Sequence, residues 1–71
     1  MAVAVNNYAE AVEVCKGLVA EGFVAIELCG GCGHTGTAQV AEAVGGKVAV
    51  GVVRFDNHPG LEFKSGDGIF G

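Results

Sequence analysis

Apolar residues recur at intervals of three and four in the first third of the chain, the spacing of an amphipathic helix. The positions are Tyr8, Ala11, Val12, Cys15, Leu18 and Val19. Asn7 is suited to cap this helix, with Glu10 three residues later in the place of a capping-box acid. Gly22 is suited to the left-handed residue that ends a helix. The pattern predicts a helix over residues 8–21, with Cys15 in the core.

Shorter apolar runs predict strands on either side of a second helix. The run FVAIEL at 23–28 is too short for a helix and directly follows a helix stop. The run KVAVGVVRF at 47–55 is almost continuously apolar, which is typical of a strand covered on both faces. Between them, TAQVAEAV at 37–44 has helical spacing and ends at a glycine pair. The stretch at 2–5 predicts a short edge strand.

The order strand, helix, strand is a βαβ unit, in which the two strands are parallel. We therefore expect an α/β fold with a small parallel sheet of two to three strands and two helices. The 71 residues form a single domain. Residues 61–71 are expected to be a glycine-rich tail that is either loose or docked on a partner subunit. A chain of this size buries only about 60% of its unfolded surface, so we expect a homodimer to complete the fold.

Composition excludes several classes of partner. Eight acidic and four basic side chains give a net charge of −4, which opposes binding to nucleic acid or to an anionic membrane surface. No apolar run reaches the roughly 18 residues of a transmembrane helix, and the N-terminus lacks the basic start of a signal peptide. Three cysteines are an odd number that suits a reducing compartment. We expect a cytoplasmic protein with free thiols.

The candidate chemistry lies at the carboxyl ends of the predicted strands, where ligands of open parallel sheets bind. The glycine-rich loop 29–36 (CGGCGHTG) follows the first strand, and the turn 56–60 (DNHPG) follows the second. The loop contains the G-x-G-x-x-G spacing of dinucleotide sites, and Asp56 is placed to bind a ribose hydroxyl. Because 71 residues are too few for a whole dinucleotide site, we expect a smaller anionic or phosphate-bearing ligand, or a half site completed across a dimer.

Two sets of residues are assigned to this site. The ligand-binding set is Gly30, Gly31, Gly33, Thr35, Gly36 and Arg54. The set for any proton transfer is His34, Asp56 and His58. An ion pair between Arg54 and Asp56 is the alternative explanation for those two residues. Residues 65–68 (SGDG) could fold over the site as a lid. Whether the protein is an enzyme, and whether it uses a cofactor, stays open.

Three alternatives stand beside anion binding. Cys29, Cys32, His34 and His58 would supply two thiolates and two imidazoles, a ligand set that zinc accepts. Cys29 and Cys32 also form a C-x-x-C before a helix, which indicates thiol redox chemistry because a helix N-terminus lowers a thiol's pKa. The third alternative is a structural or oligomeric protein that binds no ligand. Apart from the zinc alternative, no metal ligands are assigned.

Several motifs resemble a known family. They are IELCGG at 26–31, GHTG at 33–36, GVVRFD at 51–56 and HPG at 58–60. Over most of residues 8–67 the chain is similar to a family of short, uncharacterised bacterial proteins, a domain of unknown function. The resemblance implies that the two loops are the family's characteristic segments. It also implies an additional leading strand and, in many members, an aromatic residue in place of Cys32. It implies no activity.

Overall fold

A computed structural model describes residues 1–71, and it contains three α-helices, one 3₁₀ turn and two strands. In chain order these are helix α1 (Tyr8–Ala20), strand β1 (Ala25–Leu28), helix α2 (His34–Val44), strand β2 (Ala49–Val52), the 3₁₀ turn (Pro59–Leu61) and helix α3 (Gly66–Phe70). The predicted α/β class is confirmed. Residues 2–5 are exposed and belong to no strand, so the predicted edge strand there is wrong.

Helix α1 begins and ends almost where the sequence predicts. The Asn7 side chain accepts a hydrogen bond of 2.9 Å from the backbone N–H of Glu10, which makes Asn7 the N-cap. Gly22 has φ of 94°, the left-handed conformation that a residue without Cβ adopts without strain. The helix therefore ends at Ala20, one residue before the predicted boundary.

Helix α2 begins at His34 instead of the predicted residue 37. Gly33 is its extended N-cap, and the backbone N–H of Thr37 already donates to the Gly33 carbonyl at 3.0 Å. Glycine has low helix propensity, so the glycines of 29–36 predict a loop where the first turn of α2 lies. The C-terminal boundary is as predicted, at Gly45 with φ of 59°.

The two strands form a parallel sheet, as the βαβ pattern predicts. The register pairs Ala25 with Ala49 and Leu28 with Val52. Both strands are shorter than predicted. Within one chain β2 is covered on one face only, since burial alternates along it and Ala49 and Gly51 are exposed. Helices α1 and α2 pack on the opposite face of the sheet, so the face that carries Ala49 and Gly51 is open.

The hydrophobic core lies between the two long helices and the covered face of the sheet. Its buried members are Cys15, Val40, Val44 and Val48, and Ala11, Val12, Val19, Ile26, Leu28 and Val50 pack against them. Val40 is 1% exposed, the most buried side chain of the chain. Cys15 is in the core, as its place on the apolar face of α1 predicts.

Residues 61–71 pack on their own chain, so the expectation of a loose tail is wrong, whereas docking on a partner subunit stays a prediction. His58 and Lys64 form an antiparallel bridge that folds the segment back. Helix α3 then lies near the start of α1, where the ring centroids of Phe70 and Tyr8 are 6.5 Å apart. None of the helices combines the length and the apolar character that a membrane crossing requires.

Candidate functional site

The carboxyl ends of both strands lead into the segments that the sequence singles out. Strand β1 ends at Leu28, shortly before α2 begins at His34, and β2 ends at Val52, shortly before Arg54. The backbone N–H of Val53 donates to the Leu28 carbonyl at 3.0 Å, which holds the two exits side by side. Two groups of polar residues meet there.

The first group, called here the rim cluster, consists of His34, Arg54 and Asp56. Nη2 of Arg54 donates to Oδ1 of Asp56 at 2.7 Å. Nε2 of His34 lies 3.1 Å from the same oxygen. Nε of Arg54 donates to Nδ1 of His34 at 3.0 Å. Nη2 of Arg54 also lies 3.1 Å from Nε2 of His34, where the donor and acceptor roles depend on the tautomer of the ring.

The rim cluster is open to solvent. The exposed side-chain fractions are 53% for His34, 60% for Arg54 and 71% for Asp56. Exposed ion pairs contribute about 0–1 kcal/mol, so stabilisation of the fold is a weak reason for three such groups to converge. Nη1 of Arg54 makes no hydrogen bond within the protein. The guanidinium therefore keeps N–H groups that can bind an oxyanion.

The second group, called here the Tyr8–Asp67 network, caps helix α2. Oδ1 of Asp67 accepts from the Tyr8 hydroxyl at 2.7 Å and from the backbone N–H of Gly36 at 3.1 Å. Oδ2 accepts from the backbone N–H of Thr35 at 3.0 Å. The Tyr8 oxygen in turn accepts from the backbone N–H of Gly33 at 2.9 Å. The first N–H groups of α2 are thus satisfied by side chains of α1 and α3.

The network perturbs the acidity of both its side chains. The backbone N–H of Thr35 lowers the pKa of Asp67, and the bonds from Tyr8 and Gly36 lower it further against the effect of burial. Burial raises the pKa of Tyr8 to about 12, and the hydrogen bond to Asp67 also raises it. A charged carboxylate at a helix N-terminus and a neutral phenol donating to it are the forms that this geometry stabilises.

Glycines of the loop make room for this network. A Cβ on Gly33 would lie 2.6 Å from the Asp67 carboxyl carbon, and one on Gly36 would overlap the Tyr8 ring. A Cβ on Gly66 would likewise overlap the carbonyl group of Gly31. G-x-G-x-x-G spacing permits a ligand to approach the backbone closely, and here the side chains of Tyr8 and Asp67 occupy that space. Among the predicted ligand-binding residues, Gly33, Thr35 and Gly36 donate their backbone N–H groups to Tyr8 or Asp67.

The remaining predicted residues are divided between other contacts. Gly30 lies against Phe55, where a Cβ would come within 2.7 Å of the ring. Phe55 also packs on His58, with ring centroids 4.6 Å apart. Nδ1 of His58 accepts from the backbone N–H of Gly60 at 2.9 Å. His58 therefore stabilises the turn through this hydrogen bond. His34 and Asp56, the other two residues of the proton-transfer set, are in contact with each other.

The cysteines do not form the predicted zinc site. No group of three or more His, Cys, Asp or Glu side chains is close enough to hold a metal ion. This contradicts the zinc hypothesis for Cys29, Cys32, His34 and His58. Cys32 precedes the N-cap of α2 and is half-buried. Burial raises the pKa of its thiol, so Cys32 is the less reactive position of the C-x-x-C.

No sequence pattern identifies the Tyr8–Asp67 network as a unit. Helical spacing places Tyr8 on the apolar face of α1, and Asp67 lies in the glycine-rich segment that is expected to be a lid or a mobile tail. One local signal was available: Ser65 caps α3 by accepting from the backbone N–H of Asp67 at 3.1 Å, and a serine two residues before an acid is typical of a helix start. No local signal identifies α2 as the element that Asp67 contacts.

Comparison with known proteins gives a match to one family description. The model of a family of unknown function, DUF6506, matches residues 1–68. No curated protein and no solved structure matches the chain.

Proposed function

Since the chain belongs to a family of unknown function, DUF6506, we propose its function from its own geometry: the rim cluster binds a small anionic ligand. The observation that carries the proposal is the convergence of His34, Arg54 and Asp56 within 3.1 Å at the carboxyl edge of a parallel sheet. Ligands of such sheets bind at this edge because loops and helix N-termini converge there.

Arg54 is the group that would contact the anion. Its Nη1 has no partner in the protein, and a guanidinium binds carboxylate and phosphate oxygens with two parallel hydrogen bonds. Asp56 and His34 hold the guanidinium from the Nε and Nη2 side, which fixes the plane in which Nη1 is presented. The ligand is therefore bound mainly by side chains, because Asp67 and Tyr8 already take N–H groups at the start of α2.

His34 and Asp56 would carry any proton transfer on the bound ligand. Nε2 of His34 lies 3.1 Å from Asp56 Oδ1, within the distance over which a carboxylate orients an imidazole. His58 is left out of this role, because its Nδ1 is bonded to the turn and its ring packs on Phe55. The proposal is one of binding, with proton transfer as the chemistry that the same three side chains would support.

The test is a titration of the ¹⁵N-labelled chain with inorganic phosphate, at constant ionic strength kept with chloride, followed by amide and arginine Nε chemical shifts. We expect saturable shifts at His34, at Asp56 and at Arg54 Nε. The variant Arg54→Gln should abolish them. Lys47→Gln is the matched control, since it removes one exposed positive charge away from the rim and should leave the titration unchanged. Equal shifts in both variants, or shifts spread over the whole surface, would contradict the proposal.

We also propose that a second copy of the chain covers the open face of the sheet. Parallel sheets are almost always covered on both faces, yet Ala25, Glu27, Ala49 and Gly51 are exposed here. Val53, which continues the same alternation after β2, is 49% exposed. A homodimer through this face would complete the layer that the continuous apolar run at 47–55 indicates.

A further inference from the structure

Cys29 and Cys32 are the first and fourth residues of a tight turn between β1 and α2. The backbone N–H of Cys32 donates to the Cys29 carbonyl at 3.0 Å, the closing hydrogen bond of a β-turn. Such a turn brings the Cα atoms of its end residues within about 7 Å. A disulfide spans Cα separations of roughly 4.4 to 6.8 Å, so the turn brings the two residues close to the separation that a disulfide requires.

The two thiols differ in access. Cys29 is exposed, whereas Cys32 is half-buried with its Sγ 3.8 Å from the Thr37 hydroxyl. Burial raises the pKa of Cys32, so its thiolate is scarce at neutral pH. Attack on an external disulfide therefore begins at Cys29, and Cys32 is placed to resolve the product. The third thiol, Cys15, is buried in the core and is an internal standard for an unreactive cysteine.

We propose that Cys29 and Cys32 form a reversible disulfide across this turn by exchange with a small-molecule disulfide such as oxidised glutathione. The Cys29 thiolate attacks one sulfur of the reagent, which forms a mixed disulfide and releases one glutathione thiolate. Cys32 loses its proton to solvent and attacks the Cys29 sulfur, which forms the intramolecular bond and releases the second thiolate. The dithiol loses two electrons, and one oxidised glutathione becomes two reduced ones.

This site is independent of anion binding, because neither sulfur belongs to the rim cluster. It also differs from a C-x-x-C catalyst, whose first thiol lies at the start of a helix, because α2 begins only at His34, after both cysteines. The turn is instead a stoichiometric thiol–disulfide site. Its place next to Gly33, whose N–H donates to Tyr8, means that the crosslink would form beside the cap of α2.

The experiment is incubation of the reduced chain with oxidised glutathione, followed by unfolding in N-ethylmaleimide and intact-mass measurement. We expect a product about 2 Da lighter than the reduced chain before labelling, carrying one maleimide instead of three. Fragmentation should place the label on Cys15 and the crosslink between Cys29 and Cys32. Dithiothreitol should restore three reactive thiols.

Two single variants separate the roles of the thiols. Cys32→Ser should stop at the mixed disulfide, about 305 Da heavier and located on Cys29. Cys29→Ser should react more slowly, because only the half-buried thiol remains in the turn. The proposal is overturned if the unsubstituted chain keeps three thiols, accumulates the mixed disulfide, links Cys15, or mainly forms disulfide-linked dimers. Circular dichroism of both variants checks that they are folded.

Discussion

Asp67 occupies the position at the start of α2 that a bound anion would take in a glycine-rich phosphate site. Its carboxylate accepts from the backbone N–H groups of Thr35 and Gly36 and from the Tyr8 hydroxyl. Charge at this point is favoured by the helix dipole, and each bond to a charged acceptor is stronger than a neutral one. Asp67 therefore joins α1, α2 and α3 through a single side chain.

Replacing this carboxylate should destabilise the chain. We expect Asp67→Asn to lower the free energy of unfolding by about 1–3 kcal/mol, because the amide loses the charge and offers one acceptor oxygen for three donors. Asp56→Asn is the matched control, since Asp56 is largely exposed, and should change stability by no more than about 0.5 kcal/mol. Urea unfolding at pH 7 measures both. Equal losses in the two variants would show that the network does not hold the helices together.

The stabilising effect of the Asp67 carboxylate should depend on pH. The pKa of Asp67 is lowered from its ordinary 3.8 in the folded chain, so its stabilising effect is complete above that value and is lost as pH falls through the folded pKa. The gap in melting temperature between the wild type and Asp67→Asn should therefore close on acidification below pH 3.8.

Tyr8 should make stability depend on pH at the alkaline end. Its pKa is raised to about 12 in the folded chain, so the stabilising effect of the neutral phenol is lost as pH rises from 10 towards 12. Tyr8→Phe should lack that alkaline loss.

At the scale of elements, two helical glycines have opposite roles. Gly36 lies in the first turn of α2, where a Cβ would overlap the Tyr8 ring. Gly17 lies within α1, where a Cβ would have no atom within 4 Å. The first glycine is required by packing, whereas the second only lowers the helix propensity of α1.

The same substitution at both positions should therefore have opposite signs. We expect Gly36→Ala to destabilise the chain by about 1–3 kcal/mol, the usual cost of forcing a methyl group into a packed contact. Gly17→Ala should stabilise it by about 0.5–1 kcal/mol. Thermal unfolding of the two variants under identical conditions measures the difference. If Gly36→Ala is neutral, the Tyr8 ring moves freely and the network is not tightly packed.

In the whole molecule, the small core and the open face of the sheet have one cause, because helices cover the sheet on one side only. Five apolar side chains are buried, and one face of both strands remains exposed. A single layer of helices covers one face only, so the other face is the surface from which an assembly would gain buried apolar area.

Blocking this face should reduce self-association. We expect Gly51→Arg to shift the sedimentation coefficient of the chain from dimer to monomer, because Gly51 is exposed in the middle of the open face and its Cβ position is unobstructed. Gly17→Arg places the same side chain at an equally unobstructed position on α1 and should leave the dimer intact. A wild-type chain that sediments as a monomer would overturn the proposed dimer.

Local patterns determined the elements of this protein. The Asn7 cap and the positive φ of Gly22 limit α1, and Gly45 ends α2, because capping depends on residues next to one another in the chain. The parallel pairing of β1 with β2 follows from the strand–helix–strand order. The spacing of Arg54 and Asp56 also favours their ion pair, since residues two apart along an extended segment lie on the same side.

Long-range packing determines which side chains meet at the start of α2. Asp67 is 59 residues from Tyr8 and 31 from Gly36, so no spacing rule connects them. A glycine-rich loop provides space and free N–H groups, and the sequence identifies both, but the packing of α1 and α3 determines what fills them. The physical reason is that a missing Cβ has the same local signature whether a ligand or the chain itself takes its place.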